Sequence, residues 1–436
     1  MKKTLTLCMV MLCALLLLTG GASGDLSAQK DDAPKTDAEA RARYQELRKV
    51  KERATRAGRY LEESWYPEGE YTPIYPDHYG GSYIKGDQLC ICVVNPSEEI
   101  LQEYRERMRD HLDVIVFQEV PYSYQTMVDA QHSIFLQLMN EGLDVVSVGY
   151  GDSRLFDRLY FYVQEESVSK WDQSDAGKLA KQGTIQIEKK YPVPITIEVL
   201  APREEEQESE QRMPPGELRT GEEGEKTMVT MAGGAYLQNW ANMKWATLGL
   251  CGTYQGETAV LSCGHFCSST GEILRFYPGY HQLGGVSYRQ VGNGDFSITK
   301  YTNPSLYRSN YVGWPIDTEG QRITTWASRP NVDDYVECFG AEGGYAYGTV
   351  VNNNTPYAIT IDGVTTIVSG GVRVELVYGQ LEDGDSGGPV YDGHEFLGVI
   401  NGRGANETTG SSGLHELYFT PCQPIIAAGF TPYTGS

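Results

Sequence analysis

Long apolar runs are missing from this 436-residue chain once its first two dozen positions are passed. No later segment therefore offers the ~20 apolar residues that a membrane-crossing helix needs. Positive charge is scarce too: 36 Lys and Arg stand against 58 Asp and Glu, a net charge of −22. That balance excludes a nucleic-acid partner, whose phosphates require clustered cations, and suits solubility outside a cell. Cysteine is sparse, with nine in all, and Cys8 and Cys13 fall in the N-terminal apolar run. Cys90 and Cys92, in "LCICVV", lie on one face of an apolar alternation, where same-face neighbours bridge poorly and buried thiols are expected. The other five are Cys251, Cys263, Cys267, Cys338 and Cys422, an odd number that leaves one thiol free or paired elsewhere. None of the later His and Cys has metal-ligand spacing, and no metal or cofactor is expected.

What is present falls into blocks. "MKKTLTLCMVMLCALLLLTGGASG" places Lys2 and Lys3 before an apolar run, Leu5 to Leu18, and then small residues. That is the layout of a secretory signal peptide over 1–24, too short for a comfortable span. No Cys follows it to carry a lipid anchor, so a secreted, soluble monomer is expected. Residues 25–82 form a charged, helical segment without a strong apolar face. From 83 to 200, short apolar strands ("QLCICVV", "LDVIVFQEV", "LDVVSVGY", "LYFYVQ", "PITIEVL") alternate with helical stretches, which reads as a small α/β domain. Residues 201–230 hold nine Glu, four Lys or Arg, and Pro214–Pro215. Such a stretch cannot make a core and reads as an exposed, cleavable linker. From 231 to 436 helical periodicity vanishes and short strands are separated by turn signals, the pattern of an all-β sandwich or barrel pair.

The all-β block carries the chemistry. Acyl transfer by serine needs an activated hydroxyl, a base held in one tautomer, and backbone donors for the oxyanion. Gly384-Asp385-Ser386-Gly387-Gly388-Pro389 suits the first and third. The amides of Gly384 and Ser386 can form an oxyanion hole, and Gly387 and Gly388 leave room for a substrate. "YGDSRL", at 150–155, lacks the glycines after Ser153 and is a decoy. For the base, His265 follows the apolar strand Ala259 to Leu261; His281, His394 and His415 have no comparable setting. For the orienting acid, Asp295 heads an alternating strand, with Asp333 and Asp334 as rivals that read as an exposed turn. The order His265, Asp295, Ser386 is one of several serine-hydrolase orders, and differs from those of subtilisin-like and α/β-hydrolase chains.

On "LSCGHFC", "GDFSI", "CFGAEGGYAYGTV" and "EDGDSGGPV", the block from 231 on resembles the chymotrypsin-type serine proteases, in particular the bacterial streptogrisin and α-lytic branch. "MAGGAYL", Met231 to Leu237, resembles that branch's mature N-terminus. The resemblance implies two six-stranded antiparallel β-barrels with the triad in the cleft between them: Ser386 as nucleophile, His265 as proton shuttle, Asp295 holding the imidazole. It departs at the cysteines. The residue after the catalytic His is Phe266 rather than Cys, so the family's bridge becomes Cys251–Cys267, with Cys251–Cys263 as rival; Cys338 loses its family partner to Tyr347, and its pairing with Cys422 is left open.

The resemblance also frames the pocket for the residue before the scissile bond: Gln380, Leu381, Glu382 and Asp383, then Asn401, Gly402 and Arg403. With Gln380 at the base, no preference for Lys or Arg is implied. Arg403 either selects acidic side chains or pairs internally with Glu382. By position, the α/β domain is a pro-region, released by cutting after Arg219 or Lys226 or nearer Met231; the alternative is a permanent docking domain. The new amine could then pair with Asp385, although bacterial members often do without this. The implied partners are polypeptide substrates and the chain's own pro-region. The alternatives to a general endopeptidase are a catalytically silent binding protein on the same fold and a narrow regulatory protease.

Overall fold

Gly, Asn and Asp punctuate the chain after residue 230 so densely that only short antiparallel strands fit between them. A computed structural model describes residues 34–68, 73–150, 156–164, 167–168, 193–200, 229–277, 279–313, 320–361, 364–404 and 416–435. The expected signal peptide, His415, Ser153 of the decoy and linker residues 201–228 lie outside these.

The chain divides into two compact units, residues 1–43 and 44–436. In the first, the described residues open the helix Asp37–Glu63, and the Thr36 hydroxyl accepts from the Glu39 amide at 3.2 Å, satisfying one of the donors that every helix start leaves bare.

In the second unit, two sheets follow the long helix. Strands Tyr79–Lys85, Gln88–Val94 and Ile115–Val120 form one; Val145–Gly149, Leu159–Gln164 and Ile195–Leu200 form the other. Helices Glu98–Arg107, capped by Ser97, and Tyr124–Asn140, capped by Ser123, pack on them. Cys90 and Cys92 are the buried thiols expected. The strand Tyr79–Lys85 was hidden in the sequence by Gly80-Gly81, where Gly81 takes φ 102° at a register shift; glycine adopts that conformation freely.

One expectation for the long helix needs correction. It has two buried faces. Ala54, Ala57 and Leu61 pack with Trp65, just past the helix, and with Ile84, Leu89 and Ile91 of the first small sheet. Tyr44, Arg48, Lys51, Thr55 and Arg59 meet the all-β block. The first face is built from small side chains and the second from charged ones, so no conspicuous apolar stripe marks either.

The all-β block holds two large sheets. The first is a curled sheet of eight antiparallel strands, ordered Phe430–Pro432, Leu250–Tyr254, Glu257–Ser262, Gly294–Lys300, His281–Gly292, Ile273–Phe276, Tyr236–Asn239 and Trp245–Thr247. It wraps a core that includes Leu237, Leu248, Val260, Leu274 and Phe276. In the second, Glu395–Gly404, Pro389–Asp392, Tyr335–Gly340, Gly344–Ile361, Val364–Tyr378 and Glu416–Pro421 pair in that order. The last returns to the first through Val399↔Thr420 and Ile400↔Phe419. Closure makes this a six-stranded barrel without free edges among these strands, filled by Val336, Val350, Val374, Leu397 and Phe419. A third, small sheet pairs Val229–Gly233 in parallel with Leu306–Val312.

Candidate active site

Asp295 enters from the strand Gly294–Lys300 and is wholly buried. Its backbone is clamped by the last barrel strands: its amide donates to Thr420 Oγ1 at 2.8 Å and its carbonyl accepts from Asn401 Nδ2 at 2.6 Å. With the main chain fixed, both carboxylate oxygens are committed. Oδ1 accepts from the Gly264 amide at 2.9 Å, and Oδ2 meets His265 Nδ1 at 2.6 Å. An ionised carboxylate can only accept, so Nδ1 carries the hydrogen and Nε2 is left for proton exchange.

His265 stands just past the strand Glu257–Ser262, which aims it. Gly264 is required beside it, because a Cβ there would lie 2.4 Å from Gln290 O and 2.8 Å from Asp295 Oδ1. Burial favours the neutral ring, yet the Cys263 sulfur and the Asp295 carboxylate outweigh it and hold the imidazole well above its ordinary value.

Ser386 lies on a turn between the two large sheets, and Thr247 of the first sheet pins it. Thr247 Oγ1 donates to Gly384 O at 2.7 Å, and its amide donates to Ser386 O at 2.8 Å. The Gly387 amide is used internally, on Ile400 O at 2.7 Å. Gly387 takes φ 92°, and a Cβ there would strike Ser262 Oγ at 2.1 Å. Its glycine is thus demanded by packing beneath the turn rather than by substrate above it. Ser386 Oγ donates to Asn401 O at 3.4 Å and shares with His265 a cleft of about 330 Å³, whose walls include Lys244, Trp245, Ile359 and Thr360.

Solved structures of similar shape are bacterial serine proteases. Thermobifida fusca protease A is 21% identical, with a TM-score of 0.39, over 48% of this chain and 100% of its own. Cellulomonas bogoriensis chymotrypsin is 21% identical, with a TM-score of 0.38, over 47% and 100%. Nocardiopsis protease is 19% identical, with a TM-score of 0.38, over 46% and 97%. No family model matches the chain. Over about half of its length the chain resembles the chymotrypsin-like bacterial serine proteases in fold.

Around this cleft, the expected pocket residues divide. Leu381, Glu382, Asp383, Gly402 and Arg403 line the cleft. Gln380 does not: it is exposed, and its amide donates to Glu382 Oε1 at 2.6 Å. Arg403 is engaged within the chain, donating to Leu381 O at 3.1 Å and pairing with Glu382 Oε2 at 3.4 Å and Asp383 Oδ1 at 3.2 Å. Asn401 also reaches the cleft, but its side chain serves Asp295, with Oδ1 accepting from Thr420 Oγ1 at 2.6 Å and Tyr357 OH at 2.8 Å.

Asp385 is buried beneath the nucleophile and accepts three backbone amides, from Glu382 at 2.7 Å, Glu342 at 2.8 Å and Gly343 at 3.0 Å. Burial pushes its carboxyl up to about 6 against those donors. The rivals Asp333 and Asp334 are no exposed turn; both are buried, and Asp334 accepts from Thr55 Oγ1 at 2.7 Å and the Asn331 amide at 2.9 Å.

The expected disulfides need correction as well. Cys251, Cys263, Cys267, Cys338 and Cys422 are all buried free thiols. Cys251, Cys263 and Cys267 pack as small apolar groups in the first core, and Cys251 Sγ approaches Met231 O at 3.8 Å. Cys338 packs in the barrel core, while Cys422 opens the helix Cys422–Ala427. Sequence reasoning missed Thr247, Tyr357 and Thr420. No motif marks them, since each acts through a contact between distant strands.

Proposed function

We propose that the chain is a serine endopeptidase, exported behind its N-terminal leader as a precursor. Ser386 Oγ attacks the scissile carbonyl as His265 Nε2 takes its proton, and Asp295 stabilises the imidazolium. The amides of Gly384 and Ser386 receive the oxyanion; with their carbonyls tied to Thr247, this turn is held rigid. His265 then gives the Ser386 proton to the leaving amine as the scissile C–N bond breaks, which forms the acyl-enzyme. In the second half water attacks the ester, His265 takes the water's proton, and returns it to Ser386 Oγ as the acid product leaves. The observation that carries the reading is the buried Asp295–His265 contact of 2.6 Å, opening on the same cleft as Ser386. The Ser386 hydroxyl donates to Asn401 O at 3.4 Å, and attack requires it to turn to His265 Nε2, a bond of the kind that often forms in full only with substrate bound.

The test is a fluorophosphonate probe on the exported protein after linker cleavage. An adduct on Ser386 that Ser386→Ala loses supports the reading. A folded, cut chain with no adduct favours the silent binding protein.

Two features bear on maturation. Met231 is fully buried in a strand paired with Leu306–Val312, so cutting there requires that strand to leave its sheet, and the linker upstream is the favoured place. Asp385 already has three amide donors, so activation does not require a new amine. The pairing of Arg403 with Glu382 and Asp383 bears on specificity: peptides with Glu before the scissile bond should gain no preference over neutral ones in a substrate-profile assay. Glu382→Gln with Asp383→Asn should raise their relative kcat/KM by about tenfold, since an unpaired guanidinium binds carboxylates well.

A further inference from the structure

The catalytic half buries an acid that it does not neutralise itself. Asp392, in a barrel strand, has only 4% of its side chain exposed. Its carboxylate is met by three groups of the long helix: Tyr44 OH at 2.6 Å and Arg48 Nε on Oδ1, and the Arg59 guanidinium at 2.5 Å on Oδ2. Arg59 also pairs with Glu395. Along the same helix face Lys51 donates to Asp333 O at 2.7 Å and lies over the Tyr335 ring, and Thr55 reaches Asp334. Positions 44, 48, 51, 55 and 59 recur at helical spacing, so one stripe makes all these contacts. Fit is close: a Cβ on Gly58 would lie 2.5 Å from Asn331 Nδ2.

We propose that the upstream segment, once the 201–230 linker is cut, stays docked on the catalytic half as a companion chain, its basic helix stripe seated on the acidic groove around Asp392. The proposal rests on the precursor reading above and specifies what becomes of the severed part. Two further observations carry it. The groove lined by Arg48, Arg59, Asp392 and Glu395 shares no lining residue with the catalytic cleft, and no described residue before 244 lines that cleft. Docking there leaves the described cleft open. A second, neutral contact adds to the first: Gln131 Nε2 donates to Asn354 O at 2.6 Å, and Asn352 Nδ2 donates to Gln131 Oε1 at 3.0 Å. Buried charge pairs of this kind resist separation because leaving one partner behind strands a desolvated charge.

The test uses the full chain carrying Ser386→Ala and one engineered protease site between residues 201 and 228. After complete cutting, the two fragments are followed by gel filtration and native mass spectrometry. Co-elution as a one-to-one complex at 0.15 M salt is expected. Asp392→Asn should weaken the complex by roughly a hundredfold. Arg59→Met should weaken it by about tenfold or more while leaving the catalytic half unaltered. Separate elution of two folded fragments, or Arg59→Met binding as tightly as the parent, overturns the proposal. Because the Ser386→Ala chain has no nucleophile at 386, co-elution does not depend on catalysis. Fluorophosphonate labelling of the cut wild-type complex tests the protease reading separately: labelling of the co-eluting species supports docking that leaves the cleft open.

Discussion

Two buried carboxylates organise this molecule, and they are satisfied in opposite ways. Asp295 takes its partners from 30 residues away, a titratable histidine and one backbone amide. Asp392 takes its partners from as far as 348 residues away, two guanidiniums and a phenol on the N-terminal helix. The first arrangement leaves a proton free to move, because imidazole changes charge near neutral pH. The second does not, because guanidinium stays charged. One acid therefore suits proton transfer, and the other suits holding two parts of a chain together.

The largest effects should come from breaking each pair at its acid. Asp295→Asn keeps the shape but reverses the hydrogen-bond demand on Nδ1, so kcat/KM on a peptide substrate should fall by about 10⁴-fold, with little change in melting temperature. Asp392→Ala should do the reverse. Denaturant unfolding of the intact chain should show a loss of about 3 kcal/mol, the low end for a broken buried pair because Arg59 retains Glu395. Intrinsic activity of the folded protein should be unchanged. Comparable activity losses in both variants would erase the distinction between the two sites.

Titration should separate them next. The His265 imidazole sits above its usual 6.5, and catalysis needs it neutral. Activity should thus fall as pH drops through that raised value, well on the alkaline side of 6.5. Its contribution to stability runs the other way: the charged ring's pairing with Asp295 is fully present below 6.5 and is lost as pH rises through the folded-state value. At Asp392 burial pushes the carboxyl up, but Arg59, Arg48 and Tyr44 prevail and hold it below its usual 3.8. Its contribution is present above 3.8 and disappears only as pH falls through that lowered value. A pH–rate profile beside melts at matched pH checks both. An acid limb at or below 6.5 would show that burial, and not Cys263 with Asp295, sets the charge of the imidazole.

The same contrast explains what could be read from sequence. His265, Asp295 and Ser386 were legible because strand ends and glycine turns announce themselves locally: an apolar alternation, then a polar residue, then Gly. The strands of the barrel were legible for the same reason. Asp392 was not, since its partners lie in a charged helical segment that shows no strong apolar face. A buried arginine cannot be told from an exposed one until the acid opposite is known. Cysteine misled for a related reason. The pairings rested on resemblance at Cys251, Cys267, Cys338 and Cys422, and these positions instead fill cores as thiols, where a small polarisable group packs as well as alanine or valine.

The finest distinction lies behind Asp295. Asn401 Oδ1 accepts from both Thr420 Oγ1 and Tyr357 OH, while Thr420 Oγ1 receives the Asp295 amide. Tyr357 belongs to the long hairpin strand Gly344–Ile361 and reaches the acid's backbone through Asn401. Tyr357→Phe removes one neutral buried hydrogen bond, about 1 kcal/mol, and leaves Asn401 one donor at that oxygen. Both carboxylate contacts of Asp295 survive, so the acid limb of the pH–rate profile should not move. The expected loss is a few-fold in kcat with KM unchanged, because only the placement of the acid's backbone is loosened. A shifted acid limb would mean instead that Tyr357 acts on the charge of the His265–Asp295 pair and not on its position.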